Sequence, residues 1–419
     1  MQRDRDMPNM RRIHLIGVGG VGMAALAFLL KARGASVSGC DLAPTPRTRW
    51  LAAQGIAVCL GHDPAHLAGV DETIATPAVA ADNPERLAAA HLSSRGEVLA
   101  AIVNAAPDTI AVCGSHGKTT TATWIARLLL ALGEGVEWAI GGETGDFPVA
   151  GRWPATAEDP VLVVEADESD GTLALYRART LVVTNCDYDH PDHFPTREAY
   201  LACYETAKRQ AAEVVDGESL DLPDWPILES LAPHNRRNAR MAVEVACRRG
   251  HDLETVLAAL PAVVAQLPDR RFQPLAAGVY ADYAHHPTEM ACAIEMARQV
   301  CGGTLRVLFQ PHRYSRTKAL MDAFPAALAG ADEVWICPTY AAFEKPLAGG
   351  DSLDLWRTVR AAGAANGAWR GGEDVRLAVS CAAAWTEARE EMRSEDVTLV
   401  LGAGDIIGLA PRIRAELGK

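Results

Sequence analysis

Short apolar runs recur along the whole chain and alternate with Ala/Leu-rich stretches of helical period. Arg12–Ile16 reads as a first strand, Met23–Lys31 as a helix and Ala35–Gly39 as the next strand. Gly55–Cys59, Glu72–Ala75 and Val98–Ala101 continue the strand series. A second series starts at Thr109–Cys113, passes through a helix at Thr119–Leu130, and has β-rich runs at Val161–Glu165 and Thr180–Thr184. Helices are expected at Arg197–Ala212, Asn235–Arg249 and Asp252–Val264, with Asp216–Pro233 as a polar, proline-bearing linker. The third series has strands at Gly278–Asp282, Leu305–Gln310, Glu333–Cys337, Val375–Val379 and Val397–Leu401. Its helices fall at Thr288–Gln299, Thr317–Ala329 and Ala382–Arg393. The pattern is α/β throughout and divides into three blocks, residues 1–104, 105–268 and 269–419.

Glycine loops interrupt this pattern where strands pass into helices. The first, Gly17-Val18-Gly19-Gly20-Val21-Gly22, places Gly17, Gly19 and Gly22 in a GxGxxG spacing. Such spacing lets backbone N–H groups approach a diphosphate at a helix start. Asp41 follows the second strand, where an acid can meet a ribose. A redox dinucleotide and a nucleotide-sugar diphosphate both suit the loop, as does a plain tight turn. The second loop, Gly114-Ser115-His116-Gly117-Lys118-Thr119-Thr120, is a phosphate cradle for ATP. Lys118 supplies positive charge to the β/γ-phosphates and Thr119 a hydroxyl to Mg²⁺.

Further polar groups follow the later strands. Glu165-Ala166-Asp167-Glu168-Ser169-Asp170 offers hard oxygen ligands, Glu165 lying nearest the strand end. Asp189 and His190 offer further metal or supporting groups after the next strand. Asn235 and Asn238 share a helix face. Asp282, His285 and His286 leave one strand of the third block. His312, Arg313 and Arg316 leave the next, the arginines suited to anion capture.

Composition narrows the classes. The formal net charge is −13, which disfavours a nucleic-acid backbone as partner. No apolar run reaches the ~18 residues needed to span a bilayer. The N-terminal segment has acids and no secretion-signal pattern, so a cytoplasmic location is expected. The ten cysteines show neither CxxC nor a short-range Cys/His cluster, which argues against disulfides and zinc.

Taken together, HLIGVGGVGM, AVCGSHGKTTT, VVEADESD, VTNCDYDHPD, HNRRN, DYAHHPTE, FQPHRYSRT and LGAGDI resemble, in order, the motifs of the ATP-dependent Mur ligase family. The resemblance implies a three-domain architecture: a Rossmann-like N-terminal domain for a UDP-sugar, a P-loop ATPase-like central domain and a Rossmann-like C-terminal domain for the amino acid. It implies that Gly17, Gly19, Gly20, Gly22 and Asp41 serve the UDP-sugar. Gly114, Ser115, His116, Gly117, Lys118, Thr119 and Thr120 would serve ATP, with Asn235 and Asn238 beside it. Thr119, Glu165 and His190 would hold Mg²⁺. Asp282, His285, Arg313 and Arg316 would be the C-terminal domain's contribution to ATP and amino acid, with Lys118, Glu165, His190, His285 and Arg313 as the catalytic set and His285 the candidate base. DYAHHPTE and QPHRYSRT point to the branch that adds L-alanine to UDP-N-acetylmuramate, or to its tripeptide-recycling relatives. A non-catalytic nucleotide-binding derivative and a dinucleotide oxidoreductase are the alternatives. The expected state is a monomer or weak homodimer. Three departures stand out: only Arg209–Pro233 joins the central helix to HNRRN, where the family has a β-rich stretch; Ala202 falls near the position of a lysine that some members carry as a carbamate; and the acidic pair that close relatives have before the tyrosine of DYAHHPTE is reduced to Ala281-Asp282.

Overall fold

The computed structural model describes residues 11–418 apart from 77, 145–146, 156–157, 224, 343 and 368–373. The segment read above as lacking a secretion signal, residues 1–10, lies outside them. The chain forms two compact units, Met1–Tyr188 with Arg197–Pro268, and Asp189–Thr196 with Asp269–Lys419.

The first unit holds two sheets. One has strands β1 (Arg12–Ile16), β2 (Ser36–Asp41), β3 (Ala57–Leu60), β4 (Glu72–Ala75) and β5 (Leu92–Ser94), all parallel, in the order β3-β2-β1-β4-β5. The other has β6 (Thr109–Cys113), β7 (Val136–Ala139), β8 (Ala150–Trp153), β9 (Val161–Glu165), β10 (Thr180–Val183) and β11 (Glu213–Asp216), in the order β11-β10-β6-β9-β7-β8. Only β7–β8 is antiparallel. In each sheet the strand order reverses at the strand that carries a glycine loop, β1 and β6. Such switch points open crevices at the carboxyl ends of parallel strands. Strand β6 is buried along its full length, and the helix Lys118–Ala131 packs Trp124, Ile125, Leu128 and Leu129 into the core beside it. The two layers are joined by a two-pronged ion pair from Arg33 to Glu137 and by close packing of Gly96 on Thr172.

The second unit holds β12 (Gln273–Ala276), β13 (Val279–Asp282), β14 (Leu305–Phe309), β15 (Glu333–Ile336), β16 (Val375–Leu377) and β17 (Val397–Leu401), in the order β12-β13-β17-β14-β15-β16. Both faces of this sheet are covered. Val307, Phe309, Leu399 and Leu401 enter one core, while Leu308 and Val400 enter the other with Trp335 and Trp385. The two-residue period of a strand explains that division.

Three sequence expectations change. Val98–Ala101 lies in a helix, Arg95–Ala105, because Ser94 and Glu97 cap each other's backbone N–H groups and start it. Thr317–Ala329 is two short helices, Tyr314–Ala319 and Phe324–Leu328, separated by a 3₁₀ turn. Pro325 lacks an N–H and its ring opposes a continuous helix. The linker at Asp216–Pro233 is short of regular structure but not loose: its 3₁₀ turn Pro226–Leu228 buries Leu228 completely. The composition was also silent about the long helix Ser352–Asn366.

Candidate active site

The phosphate loop is built by backbone conformation. Gly114 and Gly117 both have positive φ, and Gly117 begins the helix Lys118–Ala131 without a side-chain cap. The exposed N–H dipoles at such an end attract anions. A Cβ on Gly117 would lie 2.8 Å from Asn238 Oδ1, so Asn238 packs directly under the loop. Asn238 donates to Asn235 Oδ1 at 3.2 Å, and both residues are buried on one helix. Ser115 donates to the Asp187 carbonyl at 2.5 Å and lies 2.7 Å from the Tyr200 hydroxyl. Asn185 accepts from the His116 N–H and donates back to its carbonyl.

Lys118 Nζ donates to the Gly114 carbonyl at 2.5 Å and to Glu168 Oε1 at 2.9 Å. Burial works against its charge, but Glu168, Asp167 and Glu165 outweigh that and hold the ammonium above its ordinary range. Thr119 donates to Glu165 Oε1 at 3.1 Å, and Gly141 N–H donates to Glu165 Oε2 at 2.6 Å. A hydroxyl and a carboxylate side by side are hard oxygen donors, the type of group a Mg²⁺ ion accepts.

The first glycine loop faces the same region. Gly19 N–H donates to Asp41 Oδ2 at 2.8 Å, and helix Val21–Ala32 starts at Gly20 with no side-chain cap. Beside it is a cleft of about 280 Å³ lined by Gly20, Gly22, Arg95, Gly141, Glu165 and Asp167, among others. Arg95 is ion-paired to Asp167 at 2.8 Å, and a Cβ on Gly22 would press on the Arg95 guanidinium at 3.1 Å. A larger hollow of about 610 Å³ is lined by Arg11, Ile13, Pro107 and Leu162. It lies at the amino ends of the strands, away from both glycine loops.

The second unit gathers its own charged cluster. Arg316 donates to both Asp189 oxygens, at 2.8 and 3.1 Å, with both side chains buried. Burial opposes ionisation of Asp189, but Arg316 and His190 hold its carboxyl well below the usual range. Arg313 has positive φ and donates to Asp192 at 2.6 Å. His285 donates through Nδ1 to the Tyr283 carbonyl at 3.0 Å, which leaves Nε2 as its acceptor. Burial and the Arg316 charge push His285 down to about 4, and His312 down to about 2. Asp282 is raised to about 6 by burial, and accepts the N–H groups of Phe272 and Ala284.

Family models match three stretches: "Mur ligase family, catalytic domain" at residues 12–106, "Mur ligase middle domain" at 112–206 and "Mur ligase, glutamate ligase domain" at 270–404. A UDP-N-acetylmuramate–L-alanine ligase of Paenarthrobacter aurescens is 33% identical over 468 aligned positions, covering 98% of each chain. The chain belongs to the Mur ligase family. A second such ligase, from a Nocardioides species, is 35% identical over 96% of this chain and 95% of its own. The crystal structure of the UDP-N-acetylmuramate-alanine ligase of Thermotoga maritima superposes with a TM-score of 0.74 at 24% identity, over 97% of this chain and 100% of that one. The three-domain α/β architecture is therefore that of the Mur ligases, and the class of activity is ATP-dependent amide-bond formation.

Within this Mur ligase, the structure brings Lys118, Thr119, Glu165, Asn235 and Asn238 to the phosphate loop, and Gly20 and Gly22 to the adjoining cleft. His190 clusters instead with the second unit, where its Nε2 lies 3.6 Å from Asp189. Arg316 is committed to Asp189 and Arg313 to Asp192. Motif reading missed Arg95, Asn185 and Gly141. Arg95 could have been found from the capping box Ser94/Glu97, which announces a helix start beside it. Gly141 acts through its backbone N–H and leaves no side-chain signal. Ala202 lies within helix Arg197–Gln210 and offers no carbamate-forming amine. Among the described residues, no helix is long and apolar enough to cross a membrane.

Proposed function

We propose that this ligase joins L-alanine to the lactyl carboxylate of UDP-N-acetylmuramate, using ATP and Mg²⁺. The observation that carries the reading is the cleft beside the uncapped helix at Gly20, which is lined as well by Glu165, the partner of Thr119 in the phosphate loop. It supports one substrate diphosphate on the first loop and a nucleotide phosphate chain on the second, with a carboxylate and the γ-phosphate within reach of each other. The long relatives with that activity support the choice of substrate.

In the reaction, the lactyl carboxylate oxygen attacks the γ-phosphorus and ADP leaves. The amine of L-alanine then attacks the acyl carbon, phosphate leaves, and the amine loses a proton. Lys118 supplies positive charge to the transferring phosphoryl group, and the helix end at Gly117 donates N–H groups to it. Thr119 and Glu165 would hold Mg²⁺, and the ion would supply charge neutralisation to phosphate oxygens; His190, beside Asp189 in the second unit, is not counted among its ligands. Arg95 aims a cation at the cleft while Asp167 fixes its direction. His285, neutral with a free Nε2, accepts a hydrogen bond from the incoming ammonium or amine. At about 4, it is too weak a base to strip an ammonium unaided. It serves better to orient the amine after proton loss.

The decisive assay is phosphate release from ATP with UDP-N-acetylmuramate and, in turn, L-alanine, glycine, L-serine and tripeptide. L-alanine is expected to give the highest kcat/KM. Turnover with tripeptide alone overturns the reading, and so does nucleotide binding with no release for any acceptor.

A further inference from the structure

A separate cluster of ligand-type side chains lies inside the first sheet layer. His14 comes from β1, Cys40 from β2, His66 from the 3₁₀ turn Pro64–Leu67 and Glu85 from the helix Pro84–Ala88. One donor atom from each lies within 4.8 Å of all the others. Cys40 Sγ is 2.7 Å from Glu85 Oε2, His66 Nδ1 is 2.6 Å from Glu85 Oε1, and His14 Nε2 is 3.6 Å from Glu85 Oε2. His14, Cys40 and Glu85 are at most 1% exposed.

Two features make this more than a packed polar core. The first is His14. Its Nδ1 lies 2.9 Å from Ser38 Oγ, which fixes the ring, while its buried Nε2 faces the cluster with no hydrogen-bond partner. Buried polar nitrogens rarely stay unmatched. A hydrogen bond on the outer ring nitrogen is also how metal-binding imidazoles are oriented. The second is the surroundings of the buried Glu85 carboxylate. It accepts the Cys40 S–H and the Asp63 N–H, and its ion-pair contacts among the described residues are three imidazoles, His14, His62 and His66, with no Lys or Arg.

We propose that His14, Cys40, His66 and Glu85 bind one Zn²⁺ ion that braces the first glycine loop. Two imidazole nitrogens, one sulfur and one carboxylate oxygen suit a borderline-soft, four-coordinate ion and not Mg²⁺ or Ca²⁺. In a tetrahedral site with bonds of ~2.0–2.3 Å, donors stand ~3.3–3.8 Å apart. The separations here fall on both sides of that range, so side-chain adjustment of about an ångström seats the ion. Binding replaces the Cys40 S–H bond by an S–Zn bond and releases the proton to solvent. The brace follows from the backbone: the Cys40 carbonyl accepts the N–H groups of Gly17 and Val18, both at 2.9 Å. His62 Nδ1, 3.1 Å from Cys40 Sγ, stands beside the site as a spare donor.

The test uses the full chain stripped of metal by chelator and titrated with Co²⁺. Thiolate-to-cobalt charge-transfer absorption saturating at one equivalent, bleached by Zn²⁺, is the expected result. C40S should lose that absorption, and both C40S and H66Q should bind Zn²⁺ at least 10-fold more weakly in chelator competition. H66Q keeps the thiolate, so it should retain a weakened charge-transfer band even where C40S fails to fold. Absence of the band in the folded wild-type chain overturns the proposal. So does a band of unchanged strength in folded C40S, or unchanged Zn²⁺ affinity in H66Q. None of these readouts depends on ligase turnover.

Discussion

Lys118 is asked to do two things by its surroundings. In the proposed reaction it presents a cation to phosphate, and in the structure it neutralises Glu168, which is wholly buried. Lys118→Ala should therefore lower kcat for phosphate release by ~100-fold or more. It should also cost ~3–5 kcal/mol of stability, because Glu168 loses its buried cation. Steady-state turnover and urea unfolding separate the two effects. His285 carries a different consequence. Its folded pKa of about 4 lies below the ordinary 6.5, so the unfolded chain binds the proton first. Its contribution is complete above pH ~6.5 and fades as the pH falls towards 4, and full loss is worth ~3 kcal/mol. His285→Gln should flatten the stability of the chain between pH 6.5 and 4, as read by thermal unfolding across that window. Asp189 adds a second acid step with the opposite chemistry. Its carboxyl titrates lower when folded, so its contribution is present above pH ~4 and is lost below.

At the scale of elements, the helix beginning at Lys118 depends on a backbone turn no other residue adopts comfortably. Gly117 has φ +80°, and a Cβ there would meet Asn238. Gly117→Ala should destabilise the chain by ~1–3 kcal/mol and weaken nucleotide binding, measured by melting and by titration with a fluorescent ATP analogue. Asn238→Ala beside it should recover the space but not the strain. The helix Arg95–Ala105 makes the complementary case. Arg95→Met keeps helix propensity and removes the cation at the cleft, so KM for the UDP-sugar should rise ~10-fold with little change in KM for ATP. This element also marks the limit of pattern reading. The run Val98–Ala101 is apolar and short, and periodicity alone cannot tell a buried strand from one helical turn. Strands β1, β4, β6, β9 and β17 were legible because each is a short β-rich run bounded by turn residues. The helices at Tyr314–Ala319 and Phe324–Leu328 were read as one because the break depends on where Pro325 falls in the turn.

Across the whole molecule, Arg33 and Glu137 tie the first sheet layer to the second through residues more than a hundred positions apart. Arg33→Ala leaves Glu137 buried without its partner and should cost ~1–3 kcal/mol. Faster limited proteolysis between the two layers is the matching readout. Removal of divalent metal by EDTA should abolish phosphate release while leaving the acid-stability profile of His285 unchanged, because that imidazole is tuned by burial and Arg316. Each layer is α/β, and each glycine loop sits where its strand order reverses. One architecture is thus used three times with different side chains at the carboxyl ends of the strands.

Local chemistry was written in the sequence: glycine spacing, the Gly-Lys-Thr step, the acids closing β9 and the alternation of strands with helices. These features are short-range, because a loop at a strand end is specified by consecutive residues. Pairings over long separations were decided only by the tertiary structure. Arg316 meets Asp189, Asn238 meets Gly117 and Arg95 meets Asp167, in each case from different elements. The expectation of no zinc-like cluster rested on ligand spacing along the chain. His14, Cys40, His66 and Glu85 are dispersed over four elements, and only parallel pairing of β1 with β2 and the return of the chain through Pro64–Ala88 bring them within 4.8 Å. Sheet register and packing fix such contacts, and neither is encoded by the spacing of the residues that make them.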